Sequence, residues 1–267
     1  MAFSFVNYFS RNMDNLLIGR VLGPITLGYY DLGYQTMIRL LSLVSGTIAS
    51  PLFPALSRIQ DDKPKVREIY LRVISYIALI TFPMMFGLLS VAHIFVPGVL
   101  GDKWSPAIPI LQILAVAGAV QSIYVTVGDI YQSQGKTRLM LKTGSLGAAI
   151  YVSAFLIGIH WGIIGVATAC MFGSLLYGAI TQYIACRVID LGFGRFLNTL
   201  LPHLIRSIIM ALVVYACSIV MVHMKMDLIF ALICLVILGA GIYFIMILLA
   251  KSSDLEPIKR LLLKLNT

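Results

Sequence analysis

Long apolar runs dominate this sequence and leave it few possible folds. Hydrophobic residues make up 60% of the 267 residues and charged residues only 12%. The apolar residues are arranged in runs of roughly 20, which is the length a helix needs to cross the hydrocarbon core of a bilayer. The alternating ten-residue segments typical of membrane barrels are missing from the sequence. The sequence therefore predicts an all-α membrane protein with about eight transmembrane helices.

The predicted helices are separated by short turns and by charged loops. Their expected ranges are 3–22, 27–56, 69–96, 108–132, 139–159, 163–188, 204–222 and 228–250. On the side of the first residue, the connecting segments hold Arg58, Lys63, Lys65, Arg67 and Arg72; Lys136, Arg138 and Lys142; Arg187 and Arg195; and Lys251, Lys259, Arg260 and Lys264. The opposite side holds only Lys103 and Lys225. Because basic residues concentrate in cytoplasmic loops, we expect both termini to be cytoplasmic.

The same pattern argues against several classes of function. The formal net charge of +9 is explained by membrane topology, so it does not indicate a nucleic-acid partner. The four cysteines are spaced singly and form no metal-binding pair. The sequence contains no nucleophile elbow, phosphate-binding loop or dinucleotide fingerprint. We therefore expect no enzyme, no metal and no cofactor.

Polar and charged residues recur along one side of the first two predicted helices. The first helix carries Asn7, Arg11, Asp14 and Asn15, and the second carries Asp31, Gln35, Arg39 and Ser42 at steps of three or four. A charged group buried in hydrocarbon costs several kcal/mol, so each stripe is expected to face a polar interior.

Two later helices carry weaker polar stripes. The fourth holds Ser122, Thr126, Asp129 and Ser133, and the sixth holds Ser174, Tyr177 and Thr181. Hydroxyl groups in membrane helices commonly bond neighbouring helices, and this is our interpretation of the Ser and Thr positions. For the charged set the favoured interpretation is a functional interior; its members are Arg11, Asp14, Asp31, Arg39 and Asp129.

The segment from Asp14 to Tyr34 resembles a pattern that opens a repeat in polysaccharide flippases. The pattern is Asp-x-x-x-Ile-Gly, then Leu-Gly, then Gly-x-Tyr, and the segments 50–58 and 128–137 also match. These flippases are the Wzx-type exporters of the multidrug/oligosaccharidyl-lipid/polysaccharide superfamily. Within this group, the sequence pattern most resembles the colanic-acid and lipopolysaccharide (O-antigen) branch. The resemblance covers residues 3–191.

The resemblance implies an architecture and an activity. Members of the family have two six-helix lobes around a central cavity, often followed by an extra helix pair. By that comparison, residues 1–190 are the second lobe and residues 191–267 are the extra pair with a basic cytoplasmic tail. The first lobe, or another copy of the chain, would complete the cavity. The expected activity is transfer of undecaprenyl-diphosphate-linked oligosaccharide from the inner to the outer leaflet of a bacterial inner membrane, by alternating access.

The resemblance also suggests roles for the polar stripes. Guanidinium groups match the oxygens of a diphosphate, so Arg11 and Arg39 are candidates to bind it. Asp14, Asn15, Asp31 and Gln35 complete the expected substrate-binding set. Asp129 or Asp14 is expected to couple transport to an ion or to gate it.

Three alternatives remain open at this stage. One is a multidrug or small-molecule exporter of the same superfamily, and another is a non-functional truncated remnant. The third is a membrane enzyme acting on polyprenyl phosphates. Such an enzyme would need clustered His, Arg and acidic residues at one membrane face, and the sequence shows no such cluster.

Overall fold

A computed structural model of the protein describes residues 18–48 and 52–249, and within them the chain is helical apart from short turns. A short helical segment, 18–21, precedes the first complete helix. The helices are α1 (Pro24–Ile48), α2 (Leu52–Arg58), α3 (Lys63–Phe95), α4 (Ile108–Tyr124), α5 (Val127–Ser133), α6 (Thr137–Gly158), α7 (Gly162–Val188), α8 (Phe193–His223) and α9 (Leu228–Leu249). Irregular helical turns, Val96–Leu100 and Asp102–Ala107, join α3 to α4.

Five stretches of the described residues are long and apolar enough to cross a membrane. They are Lys63–Leu100, Asp102–Ser133, Thr137–Val188, Phe193–His223 and Leu228–Leu249. The third of these contains two helices, α6 and α7. Helix α1 has 25 residues but is not among the five, because its polar residues lower its hydropathy. The prediction of an all-helical, multi-pass membrane protein is confirmed.

Several predicted boundaries were wrong. The predicted helix 27–56 is divided between α1 and α2, and 108–132 is divided between α4 and α5 by a turn at Val125 and Thr126. Most of the predicted loop 57–68 is helical, because α3 begins at Lys63, where the Asp62 side chain accepts a hydrogen bond from the Lys65 amide at 3.2 Å. Helix α8 likewise begins at Phe193 rather than at 204. Both helices extend beyond their apolar runs into segments rich in polar residues, so the runs alone understated their length.

Helix α3 lies at the centre of the bundle and packs against α1, α4, α8 and α9. Two side-chain hydrogen bonds join it to α8: Ser75 Oγ lies 2.9 Å from His203 Nε2, and Ser218 Oγ lies 3.1 Å from His93 Nε2. The partners advance in the same direction along both helices, so α3 and α8 run parallel. These contacts connect the final helix pair to the rest of the bundle.

A sharp turn folds α6 and α7 into an antiparallel hairpin. The turn consists of a short helical segment, Ile159–Trp161, and Gly162, whose φ of 68° favours glycine. The two backbones approach closely beside this turn. A Cβ atom added to Gly158 would lie 2.6 Å from the carbonyl oxygen of Gly165. Side chains larger than glycine are therefore excluded at the point where the helices meet.

Candidate functional site

Helix α1 has one packed face and one polar face. Its packed face contains Tyr30, Met37, Leu41 and Val44, which are buried against the bundle. The neighbouring elements on that side are α3, α4 and the turn Asp102–Ala107. The other face carries the predicted stripe, in which Gln35, Arg39 and Ser42 are exposed and Asp31 is half-buried. We refer to these four residues as the α1 stripe.

Hydrogen bonds within the α1 stripe are local. Gln35 Nε2 donates to Asp31 Oδ1 at 3.2 Å, and Ser42 Oγ donates to the carbonyl oxygen of Arg39 at 2.8 Å. Among the described residues, the Arg39 guanidinium forms neither an ion pair nor a hydrogen bond. Asp31 is two helical turns away, beyond the three or four residues that allow a direct pair on a helix. Within the described part of the chain, the donors of this guanidinium are therefore unoccupied.

The rest of the predicted site is only partly visible. Arg11, Asp14 and Asn15 lie outside the described residues, so their contacts with the α1 stripe remain a prediction. Asp129 is half-buried in the first turn of α5, a short helix that packs against α2, α6 and α7. It makes no hydrogen bond or ion pair with the α1 stripe. The structure therefore does not join Asp129 to Asp31, Gln35 and Arg39.

Two hydroxyl residues of the predicted fourth helix, Ser122 and Thr126, bond neighbouring helices as expected, whereas Ser133 donates to the carbonyl oxygen of Ile130 in its own helix. Ser122 and Thr126 are fully buried. Ser122 Oγ lies 3.0 Å from Thr81 Oγ1, and Thr126 Oγ1 lies 3.4 Å from the Tyr70 hydroxyl. Both groups also donate to carbonyl oxygens of their own chain segment. These side chains are satisfied within the bundle and stabilise helix packing.

A polar network that periodicity did not reveal joins α4, α6 and α7. Tyr151 lies at its centre, with its hydroxyl 2.8 Å from that of Tyr124 and 3.0 Å from Ser174 Oγ. Gln121 Nε2 donates to the same Ser174 hydroxyl at 3.3 Å. Ser174 belonged to the predicted stripe of the sixth helix, but the residues come from three separate helices, so periodicity did not show that they meet.

Arg206 is a half-buried arginine of α8 that the sequence analysis did not discuss. The expected helix 204–222 placed Arg206 at its end, where its charge would reach water. In the structure α8 begins at Phe193, so half-buried Arg206 lies near the middle of a membrane-length helix. The correct start of α8 was the signal needed to find it.

At one end of the bundle, side chains join the segments that connect the helices. Lys63 Nζ donates to Asp190 Oδ2 at 2.8 Å, and Arg67 Nη1 donates to the Asp190 carbonyl oxygen at 3.2 Å. The hydrogen bond and charge of Lys63 lower the pKa of the exposed Asp190 carboxyl. Gln134 Nε2 donates to the carbonyl oxygen of Gln60 at 3.2 Å. The segments around residues 60, 134 and 190 therefore lie at the same end of the molecule.

The fold and the α1 stripe define a class of protein: a multi-pass helical membrane protein in which one helix exposes a polar face beside an apolar bundle. Within the described residues, no group of three or more His, Cys, Asp and Glu could hold a metal ion.

Comparison with known proteins identifies relatives of this class. A family model described as polysaccharide biosynthesis protein matches residues 1–109. The lipopolysaccharide biosynthesis protein WzxC of Escherichia coli (strain K12) is 28% identical over 222 residues, which is 82% of this chain and 45% of WzxC. An uncharacterized membrane protein in the cps region of Klebsiella pneumoniae is 28% identical over 260 residues, covering 97% of this chain and 53% of its own.

A solved structure shows the same fold. The lipid II flippase MurJ, in an inward closed conformation, matches 92% of this chain and 51% of its own with a TM-score of 0.75 and 15% identity. The chain therefore spans about half the length of the curated relatives and of the structure that it matches. The resemblance to polysaccharide flippases that the sequence indicated is confirmed.

Proposed function

We propose that this chain is part of an exporter of polysaccharide precursors in a bacterial inner membrane. It translocates undecaprenyl-diphosphate-linked oligosaccharide from the inner to the outer leaflet by alternating access and acts as a transporter, not an enzyme. A second lobe completes the cavity, either the N-terminal lobe of a longer protein or another copy of this chain. Similarity to the lipopolysaccharide biosynthesis protein WzxC and the fold shared with a lipid flippase support this proposal.

The observation that carries the proposal is the exposed guanidinium of Arg39. It lies more than two turns from either end of α1, too far for the side chain to reach a membrane surface easily. Helix α1 packs against α3 and α4, which belong to membrane-length stretches, and an arginine at the centre of a membrane helix costs about 2.5–3.5 kcal/mol on insertion scales. A water-filled cavity removes most of this cost, so the α1 stripe forms part of a cavity wall. There the planar guanidinium can donate paired hydrogen bonds to a diphosphate.

The neighbouring groups of the α1 stripe suit the saccharide. Asp31 and Gln35 lie on the same face as Arg39 and are already joined by a hydrogen bond. The Asp31 carboxylate and the Gln35 carbonyl retain lone pairs that can accept hydrogen bonds from sugar hydroxyls. Arg11, Asp14 and Asn15 of the preceding helix complete this set. Asp129 or Asp14 serves as a coupling or gating carboxylate.

The proposed orientation places both termini in the cytoplasm. The segments around residues 60, 134 and 190 share one end of the bundle, and their neighbouring lysines and arginines follow the positive-inside pattern. In this arrangement residues 1–190 form the transport lobe and residues 191–267 form an accessory helix pair. The hydrogen bonds between α3 and α8 support docking of that pair against the lobe.

Substitution of Arg39 in the native gene tests the proposal. Arg39→Ala should leave the amount of membrane-inserted protein within about twofold of normal. It should abolish surface polysaccharide, because the paired N–H donors of the guanidinium would no longer bind the diphosphate. Arg39→Lys should retain partial export as a point charge. Arg195→Ala is the matched control, since it removes an exposed arginine at the start of α8, and export should continue. Normal export by Arg39→Ala would refute the substrate role, and loss of the protein from the membrane would show that Arg39 is structural.

A further inference from the structure

A groove of about 730 Å³ runs between α6 and α7. The residues that line it recur every four positions on both helices, so the groove runs along the length of the hairpin. The positions that define it are Ala149, Ser153 and Ile157 on α6, and Thr168, Phe172 and Leu176 on α7. Gly158 and Gly165 lie where the backbones meet, near the turn end of the groove.

The surface of the groove is almost entirely apolar. The sequence contains no Lys, Arg, Asp or Glu between Lys142 and Arg187. The polar side-chain groups that line it are the hydroxyls of Ser153 and Thr168 and, at the turn end, the indole N–H of Trp161. Thr168 Oγ1 donates to the carbonyl oxygen of Gly165 at 3.1 Å, so it does not require a polar ligand. The groove therefore suits hydrocarbon.

The dimensions of the groove match one leaflet of a bilayer. From Ile164 to Leu176 it extends twelve residues along α7, or roughly 18 Å. Half of the hydrocarbon core is about 15 Å. One end reaches Trp161, which is 71% exposed at the hairpin turn, where a tryptophan fits the membrane interface. Exposed Leu156 and Leu175 continue the apolar surface on either side, so the groove opens onto the membrane-facing surface.

We propose that this groove binds one acyl chain of a zwitterionic membrane phospholipid, from the leaflet on the side of Trp161. Charge decides between this occupant and an anionic carrier lipid. The hairpin turn carries no Lys or Arg that could neutralise a phosphate-rich headgroup. The bound chain fills the space between α6 and α7 and adds apolar contacts that the two helices do not make with each other. It therefore stabilises the hairpin independently of the transport activity proposed above.

Lipid retention by the purified full chain tests this site. After delipidation in detergent, phosphatidylethanolamine is titrated back and bound lipid is counted by native mass spectrometry. The double variant Ala149→Leu, Ser153→Leu fills the groove at two exposed positions, whereas Ala179→Leu adds the same side chain at an exposed position of α7 outside it. We expect one tightly bound lipid in the wild type and in Ala179→Leu, and at least tenfold weaker binding in the double variant. Equal binding by all three proteins would overturn the proposal.

Two further measurements keep the test decisive. Displacement of phosphatidylethanolamine by an equal amount of polyprenyl phosphate would also overturn the proposal, because it would assign the groove to the carrier lipid. If the double variant fails to fold, Trp104→Phe leaves Trp161 as the only tryptophan of the chain. In mixtures of brominated and unbrominated lipid, quenching of Trp161 should then reach its maximum at a much lower fraction of brominated phosphatidylethanolamine than random lipid contact would require. Quenching that rises only in proportion to the brominated fraction would refute a specific site.

Discussion

Replacing Gly158 by alanine should destabilise the α6–α7 hairpin by about 1–2 kcal/mol. The new Cβ would lie 2.6 Å from the carbonyl oxygen of Gly165 and 2.7 Å from the Cβ of Ala169. The first obstacle is backbone and the second is the rigid base of a side chain, so neither can rotate away. The helices must separate locally to admit the methyl group.

The expected magnitude follows from two opposing effects. Overpacking of this kind costs about 1–3 kcal/mol. Alanine regains at most about 1 kcal/mol of helix propensity over glycine, and less here, because Gly158 is the last residue of α6. The net loss corresponds to a change of about 5- to 30-fold in the unfolding equilibrium. Gly241→Ala in α9 is the matched control, since no atom lies within 4 Å of its added Cβ. This control should be neutral or stabilise by up to about 1 kcal/mol.

Unfolding of the purified protein in mixed micelles of increasing SDS content, followed by circular dichroism, measures both free energies. The comparison of the two variants tests the close approach, because both exchange glycine for alanine in a membrane helix and only the Cβ added at Gly158 meets other atoms. A Gly158→Ala protein as stable as the wild type would refute the inferred backbone contact. Equal shifts in Gly158→Ala and Gly241→Ala would show that helix propensity alone decides the outcome.

Two further predictions concern the ion pair at the end of the bundle that we assign to the cytoplasm and the orientation of the chain in the membrane. The lowered pKa of Asp190 means that its bond to Lys63 stabilises the fold above the usual aspartate pKa and is lost as pH falls through the lower folded value. The stability difference between wild type and Asp190→Asn should therefore shrink on acidification from about pH 7 to about pH 3, and a constant difference would contradict the linkage. In a chain without native cysteines, Ser57→Cys should react only from the cytoplasm and Asp102→Cys only from outside; labelling of Ser57→Cys by an impermeant reagent in intact cells would reverse the topology.

The membrane class could be predicted from the sequence because the length of an apolar run is a local property. The helix ends could not be predicted from the same signal. The start of α3 at Lys63 depends on the Asp62 cap, and α8 begins at Phe193, well before the apolar part of its sequence. The start of α3 is charged and the start of α8 mixes apolar with polar residues, so hydropathy marks neither helix end. Because of this error, Arg206 was expected at the end of a helix, whereas it lies near the middle of α8.

The candidate site was predictable to the extent that it lies on a single helix. Asp31, Gln35 and Arg39 share one face of α1 because a helix has 3.6 residues per turn, and that relation is present in the sequence. The contacts of Tyr151 with Tyr124 and Ser174 cross three helices and depend on how those helices pack. Periodicity gives no information about such packing, so the network was found only in the structure.

The hydroxyl groups of the bundle and the α1 stripe differ in burial and in hydrogen-bond partners, and this difference bears on how a cavity is completed. Ser122 and Thr126 are buried and bonded to Thr81, Tyr70 and their own backbone, so they need nothing from outside the bundle. Arg39 has no partner among the described residues and remains exposed. A position facing lipid would leave the charge of Arg39 in hydrocarbon. A second wall of protein opposite α1, with water between the two, would keep this charge hydrated. In the proposed transporter this wall belongs to the second lobe, in keeping with a chain that spans about half the length of its relatives.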